Sequence, residues 1–67
     1  MNESRAIEPL AHSPENAARR LGVSTRQIYV LIASGELKSF KSGKRRMVPD
    51  SELRAYVLRQ MEMAEAA

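Results

Sequence analysis

The side chains in this sequence with the clearest chemical potential are cations that cluster between residues 16 and 46. This stretch holds eight Lys or Arg residues against a single acid, Glu36, for a net charge of +7, whereas the remainder has three basic and seven acidic residues. An electropositive region with acidic flanks is suited to binding phosphate groups. A solvated charged surface is the alternative interpretation. The eight cations are Arg19, Arg20, Arg26, Lys38, Lys41, Lys44, Arg45 and Arg46.

Catalytic and metal-binding chemistry has little support. The only histidine is His12, there is no cysteine, and no His or carboxylate set has the spacing of metal ligands. Acyl transfer needs a nucleophile beside a base, and phosphate chemistry needs a glycine-rich cradle, whereas the three glycines here are isolated turn residues. We therefore expect a protein that is not an enzyme, with no catalytic residue, cofactor, metal site or small-molecule substrate.

The length and hydropathy of the chain set further limits. A chain of 67 residues forms one domain at most, and a domain of this size buries only about 60% of the surface of its unfolded chain. No apolar run approaches the roughly 20 residues of a membrane span, and the first residues lack the apolar stretch of a signal peptide. Because cysteine is absent as well, we expect a cytoplasmic protein that does not contact a membrane.

Two short helices are predicted on either side of Gly22. Ser13 is a suitable N-cap, Pro14 suits the first helical position, and this helix should end near Leu21, where Gly22 provides the left-handed C-cap. Ala17, Ala18 and Leu21 form its inward face, and the two alanines allow the next helix to cross closely. Val23 is predicted to turn into the core.

The second helix is predicted to begin after Ser24 and to end at Gly35. Ser24 with Gln27 three residues later has the pattern of a capping box. At about 100° per residue, Ile28, Leu31 and Ile32 share one face. The opposite face should be free to contact a ligand, and it carries Arg26, Tyr29, Val30 and Ala33, with Gln27 on its flank.

The rest of the chain predicts a hairpin and a third helix. Leu37 to Val48 holds two short extended runs around the turn signal Ser42-Gly43-Lys44, with Phe40, Met47 and Val48 as the apolar members. In the last helix, Asp50 is the expected N-cap, and the inner stripe should be Leu53, Tyr56, Val57 and Met61, with Leu58 pointing elsewhere.

These elements together predict a mainly α fold of the winged helix-turn-helix class, with a helix-turn-helix, a two-stranded β wing and a C-terminal helix. We expect residues 1–9 to be a flexible arm, residues 10–62 to be the domain, and residues 63–67 to be a frayed tail. Leu10 is the first expected core contact.

A helix-turn-helix predicts which side chains would read DNA. Its second helix lies in the major groove with its first residues at base edges, and its first helix crosses the backbone. Arg26 can pair with guanine, Gln27 with adenine, and Val30 can cover a thymine methyl. The full set of predicted DNA-binding residues is Arg19, Arg20, Ser24, Thr25, Arg26, Gln27, Tyr29, Val30, Lys41, Lys44, Arg45 and Arg46.

Within this set, Arg19, Arg20 and Ser24 should hold phosphates, and the basic wing should lie along the backbone or enter the minor groove. Lys44 and Arg45 are expected nearest its tip, with Arg46 on a strand. Several alternatives remain open: Tyr29 could close the gap between helix and hairpin, Val30 and Ala33 could be ordinary surface residues, and Arg26 could be a solvated charge.

Several motifs resemble the excisionase family of small winged-helix DNA-binding proteins, over about residues 10 to 58. The resemblance is more specific than a bare helix-turn-helix, because the Ser-Gly-Glu-Leu step, the wing and the closing helix follow in order. Its residues are Ala17 to Tyr29, Leu31-Ile32, Ser34-Gly35-Glu36-Leu37, Gly43-Lys44-Arg45-Arg46, Val48-Pro49, Leu53 and Tyr56-Val57. The chain looks like a recombination directionality factor from a mycobacteriophage.

The resemblance implies a fold related to the MerR-type DNA-binding domain and a protein of the host bacterial cytoplasm. It further implies binding of adjacent sites in a phage attachment region, bending of that DNA, and help to a tyrosine integrase during excision. The partners would be double-stranded DNA, the integrase and neighbouring protomers, with Leu58, Met61, Met63 and the acidic tail as a candidate contact surface. Helix-end packing is the alternative for the methionines.

On the exposed face of the second helix, Val30 and Ala33 stand where basic residues would strengthen phosphate contact. Specificity should therefore depend partly on the wing and on DNA deformability. Two other functions stay open. One is a stand-alone transcriptional regulator with the same fold, and the other is a protein adaptor that docks a partner through the exposed helix face.

Overall fold

The helices and strands of this protein follow the order strand, helix, helix, strand, strand, helix in a computed structural model that describes residues 9–66. The helices are α1 (Pro14–Leu21), α2 (Thr25–Ser34) and α3 (Asp50–Ala66), and the strands are β1 (Ala11–His12), β2 (Phe40–Ser42) and β3 (Arg45–Pro49). This arrangement confirms the predicted mainly helical, winged helix-turn-helix fold. No helix within residues 9–66 has the length and apolar character that crossing a membrane requires.

The predicted caps form at the start of α1 and in the turn between α1 and α2. The Ser13 hydroxyl accepts a hydrogen bond from the Asn16 amide at 3.2 Å, and the Ser24 hydroxyl accepts one from the Gln27 amide at 3.1 Å. Gly22 ends α1 with φ of 85°, in the left-handed region where a Cβ is disfavoured, and its amide donates to the Ala18 carbonyl. These caps set the angle at which α2 leaves α1.

The core lies where α1, α2, β3 and α3 meet. Ala17 is fully buried, as expected for a residue at a close helix crossing. The largest fully buried side chains of the core are those of Ile28, Leu37 and Val48. Within residues 9–66, the core cluster consists of Ala17, Ala18, Ile28, Leu31, Leu37, Val48 and Leu53, with Leu21, Ile32 and Tyr56 packed against it.

Two predicted core residues lie outside this cluster. Leu10 is 88% exposed because it lies just before the last cross-strand pair, Ala11 with Pro49. Its backbone carbonyl accepts a hydrogen bond from the Asp50 amide at 2.7 Å, but its side chain lies outside the core. Val23 is 37% exposed in the turn, where its amide donates to the Ala18 carbonyl at 3.0 Å. Both predictions of core positions were therefore wrong.

The strand β1 was not predicted from the sequence. It pairs antiparallel with β3, matching Ala11 with Pro49 and His12 with Val48, and the strand order is β1-β3-β2. A strand of two residues is too short to show alternating hydropathy, and its partner residues Val48 and Pro49 lie far along the chain. His12, which directly faces Val48, is buried as a result.

The helix α3 is longer than its packed surface. Leu53 is buried and Tyr56 packs against the core, but Val57 and Met61 are about half exposed, so the predicted inner stripe ends one turn early. The reason is that the body of the domain ends at Tyr56 while the helix continues. Leu58 points to solvent as predicted.

The predicted domain limits at 9/10 and 62/63 are matched only loosely by secondary structure. Residues 1–8, which make up most of the predicted arm, and residue 67 lie outside the described part of the chain. Helix α3 runs on through residues 63–66, the segment expected to fray. The division into arm, domain and tail stays a prediction.

Asp50 joins three separate elements at the first residue of α3. Its Oδ1 accepts hydrogen bonds from Arg20 Nε of α1 at 2.6 Å and lies 2.8 Å from His12 Nε2 of β1, while its Oδ2 accepts from Arg54 Nε at 2.8 Å. The hydrogen bond from Arg20, followed by those from His12 and Arg54, holds the pKa of the Asp50 carboxyl far below its usual range.

Asp50 was predicted to be the N-cap of this helix, and that role was wrong. It is the first helical residue, and both of its carboxylate oxygens are occupied by side chains of other residues. The sequence identified the position but not the function, because the partners Arg20 and His12 are remote along the chain.

We predict that Asp50→Asn lowers the melting temperature at pH 7 and that the difference from wild type shrinks in acid. Because the folded pKa lies below the unfolded value of about 3.9, the stabilisation is complete above that value and is lost as the pH falls through the folded pKa. Thermal unfolding followed by circular dichroism from pH 7 to pH 2 measures this.

The matched control is Glu62→Gln, which neutralises an exposed carboxylate on the same helix. Its melting temperature should follow that of wild type across the pH range. An Asp50→Asn difference that stays constant down to pH 2 would show that the carboxylate charge does not carry the stabilisation.

Candidate nucleic-acid interface

The outward face of α2 is a row of side chains that the core does not use. Arg26, Gln27 and Val30 are exposed, and Thr25 is half-buried at the start of the helix. Tyr29 is 50% exposed and does not belong to the core cluster, so it does not fill the interior between the helix and the hairpin. The structure thus brings the predicted reading residues together on one solvent-facing surface.

The start of α2 combines a capping serine, Ser24, with the side-chain amide of Gln27, which is unpaired in the described part of the chain. The Ser24 hydroxyl is occupied as the cap, whereas the Gln27 side chain makes no hydrogen bond within residues 9–66, so the predicted capping box is only half formed. The unpaired first-turn N–H groups lie at the positive end of the helix dipole. Gln27 can therefore present both its donor and its acceptor to a base edge.

The wing is a tight hairpin with a basic tip. Ser42 pairs with Arg45, so the loop has two residues, Gly43 and Lys44, and Gly43 has φ of 64°, the sign required at the first position of a type II′ turn. Lys44 stands at the tip and Arg45 opens β3 beside it. Both side chains are exposed, so the hairpin presents two adjacent cations.

Strand register divides the wing into two faces. Lys41 pairs with Arg46, and Val48, two residues further on, is fully buried, so these cations lie on the face that continues into the core. Arg46 is half-buried, and its Nη1 donates to Ser39 Oγ at 3.0 Å. This contact fixes the Arg46 guanidinium beside Ser39.

The other face of the wing carries Arg45 together with the cross-strand pair Phe40 and Met47. Phe40 was expected to be an apolar strand member, and 46% of its surface is exposed. The wing therefore offers both charge and apolar contact outside the core.

The two arginines of α1 differ in their surroundings. Arg19 is exposed, and its Nη1 donates to Asn16 Oδ1 at 2.8 Å on its own helix. Arg20 is engaged by Asp50 and lines a groove between α1 and α3 that also includes Leu21, Leu53 and Leu58. The structure thus places Arg20 against α3 rather than beside the outward face of α2.

Two contacts that the sequence did not reveal hold the loop between α2 and the wing. The Lys38 amide donates to Glu52 Oε1 at 3.1 Å, and Arg59 Nη2 donates to the Glu36 carbonyl at 2.6 Å. Both partners lie on α3, so this helix fixes how the reading face and the wing are oriented. No sequence signal marks these residues, because each contact joins a loop to a distant helix turn.

Among residues 9–66, no three side chains of the types that bind metals come together. The residues of α2 and of the wing offer hydrogen-bond donors, one amide acceptor and cations. Such a set can recognise anionic, hydrogen-bonding surfaces, of which nucleic acid is the one whose groove spacing suits a helix beside a hairpin.

Comparison with known proteins identifies a relative and a domain family. A protein of Saccharopolyspora erythraea described as "Probable excisionase" is 36% identical over 53 residues, which cover 79% of this chain and 54% of that protein. The chain therefore spans about half the length of this relative. No solved structure matches the chain.

The second finding concerns the domain itself. Residues 13–61 match the family described as "Helix-turn-helix domain", and this range runs from the cap of α1 through α2, the wing and most of α3. It contains every predicted DNA-binding residue. The chain belongs to the helix-turn-helix domain family.

Proposed function

We propose that this protein binds double-stranded DNA through two grooves, with α2 in the major groove and the wing in the adjacent minor groove. The observation that carries the proposal is the exposed face of α2, where Arg26 and Gln27 stand in the first turn, on the same chain as a hairpin tipped by Lys44 and Arg45. A helix-turn-helix places such first-turn residues at base edges.

Base recognition would rest on a few side chains. Arg26 would donate bidentately to guanine, Gln27 would pair with adenine, and Val30 would contact a thymine methyl group. Tyr29 and Thr25 would contact the groove walls, because one is half exposed along the helix and the other stands at its start.

Phosphate contacts would come from a wider set. Arg19, Lys41, Lys44 and Arg45 are exposed cations, and the first-turn amides beside Ser24 would hold a phosphate at the helix end. Arg46 would act from the position set by Ser39. Arg20 would contribute less than these exposed cations, because its guanidinium is bound to the Asp50 carboxylate, which offsets its charge.

We further infer an architectural role in excisive recombination. A relative named as a probable excisionase supports it, as do the small size of the domain and its sparse reading face. Few contacts per protomer imply weak binding of one site, so affinity would come from neighbouring protomers on consecutive sites or from a tyrosine integrase. In this proposal the protein bends attachment-site DNA without catalysing strand exchange. It originates from a bacteriophage, and its fold is related to that of MerR-type DNA-binding domains.

An excision assay with the cognate integrase and attachment-site DNA tests this role. Adding the protein should raise the yield of excised product and lower the yield of integration. Unchanged yields in both directions, with DNA binding intact and the bound sites mapping to promoters, would favour a stand-alone transcriptional regulator instead.

We predict that Arg26→Ala weakens binding to the cognate site by about 1–3 kcal/mol and relaxes base preference at one position. Arg26→Lys is the matched control, because it keeps the charge but loses the bidentate geometry. It should lose selectivity while retaining affinity for unrelated DNA. Titrations against a panel of single-base variants measure both effects, and equal selectivity in all three proteins would place the base contact elsewhere.

We predict that Lys44→Ala combined with Arg45→Ala weakens binding to all DNA sequences alike. The log–log dependence of affinity on salt should become shallower by about 2, from an expected slope of about −4 to −5. Arg54→Gln, which removes a cation from α3, should leave the slope unchanged. A salt slope equal to that of wild type in the double variant would mean that the hairpin has only a structural role, and salt-independent binding would indicate a protein adaptor.

A further inference from the structure

The second half of α3 makes few contacts with the rest of residues 9–66. Every residue from Val57 to Ala66 is exposed, and in the described part of the chain a single hydrogen bond, from Arg59 to the Glu36 carbonyl, joins this segment to another element. Ten helical residues extend over about 15 Å. Isolated helices of that length are marginal in water, so packing against another surface would stabilise this one.

One face of this segment is apolar. At 100° per residue, Val57, Leu58 and Met61 fall within an arc of about 100°, with Val57 and Leu58 at its two edges. This face continues the groove of about 530 Å³ formed between α1 and α3. We call these three residues the α3 stripe. Met63 lies on the opposite side of the helix, although its exposure of 64% is close to the 57% of Met61.

Charges at the two ends of the α3 stripe have opposite signs. Arg54 lies in the same arc one turn before Val57, and Glu65 lies in it one turn after Met61. Arg54 donates to Asp50 through Nε and is 65% exposed, so its terminal nitrogens can reach a second carboxylate. The surface thus reads cation, apolar patch, anion along a single line.

This order of charges is self-complementary. In an antiparallel pair, Leu58 faces Met61 of the second copy, and the same offset places Arg54 against Glu65 of the second copy. A two-fold axis repeats each contact, so both ion pairs and both apolar contacts form at once. A parallel pair would instead place like charges together.

We propose that the α3 stripe binds the α3 stripe of a second copy of this chain as an antiparallel two-fold dimer. The proposal needs no DNA and does not depend on the proposed function. The few side chains involved bury well under the roughly 1,200 Å² of a standard stable interface, so we expect a dissociation constant on the order of 100 µM. Such a contact would act mainly where copies are held close together.

Sedimentation equilibrium of the full chain tests the proposal without DNA. The mass should rise from the monomer value of 7.5 kDa towards twice that value as the protein concentration approaches about 1 mM. Met61→Glu should raise the dissociation constant at least about tenfold. Met63→Glu is the matched control on the other side of the helix, and it should change the constant less than about twofold.

A charge exchange tests the antiparallel direction. Glu65→Arg alone should weaken the dimer, and Glu65→Arg with Arg54→Glu should restore it, because each ion pair is rebuilt with its signs reversed. Because Arg54→Glu also removes the hydrogen bond to Asp50, dissociation constants are compared only for variants whose circular dichroism spectrum and melting curve show a folded chain. A monomer at all concentrations, equal effects of Met61→Glu and Met63→Glu, or no rescue by the charge exchange would each overturn the proposal, as would an α3 stripe that binds only integrase.

Discussion

Asp50 is the constraint on which the arrangement of this small domain depends. One carboxylate receives side chains from β1, α1 and α3, and the Asp50 amide donates to the Leu10 carbonyl beside β1. The core cluster within residues 9–66 is small, and such a core leaves the relative positions of its elements weakly determined. Hydrogen bonds that side chains donate to a fixed carboxylate are directional, whereas apolar packing is not.

The helix α3 extends this control to the candidate interface. Asp50 sets where it begins, Leu53 and Tyr56 pack it on the core, and Glu52 and Arg59 hold the loop that leads from α2 to the wing. The proposed reading face and the proposed minor-groove contact are therefore held by a helix that would touch no DNA itself. Its free end, with the α3 stripe, is the part of the domain left for a second copy.

The proposed roles of α2 and of the wing differ because their exposed side chains differ. The outward face of α2 has hydrogen-bonding groups in its first turn but apolar residues beyond it, whereas the wing has exposed cations and little that could distinguish bases. Recognition and affinity would thus come from different elements. A protein built in this way suits a role beside other DNA-bound proteins better than that of an isolated repressor.

Local patterns in the sequence were enough to predict the three helices, the hairpin and the residues on the outward face of α2. Caps, helical periodicity and turn glycines act over a few residues, so Ser13, Gly22, Ser24 and Gly43 could be interpreted without a structure. Strand β1, the role of Asp50, the burial of His12 and the exposure of Leu10, Val23 and Met61 were decided only by tertiary structure. These features depend on contacts between residues far apart in the chain, and hydropathy alone does not show where the body of a small domain ends.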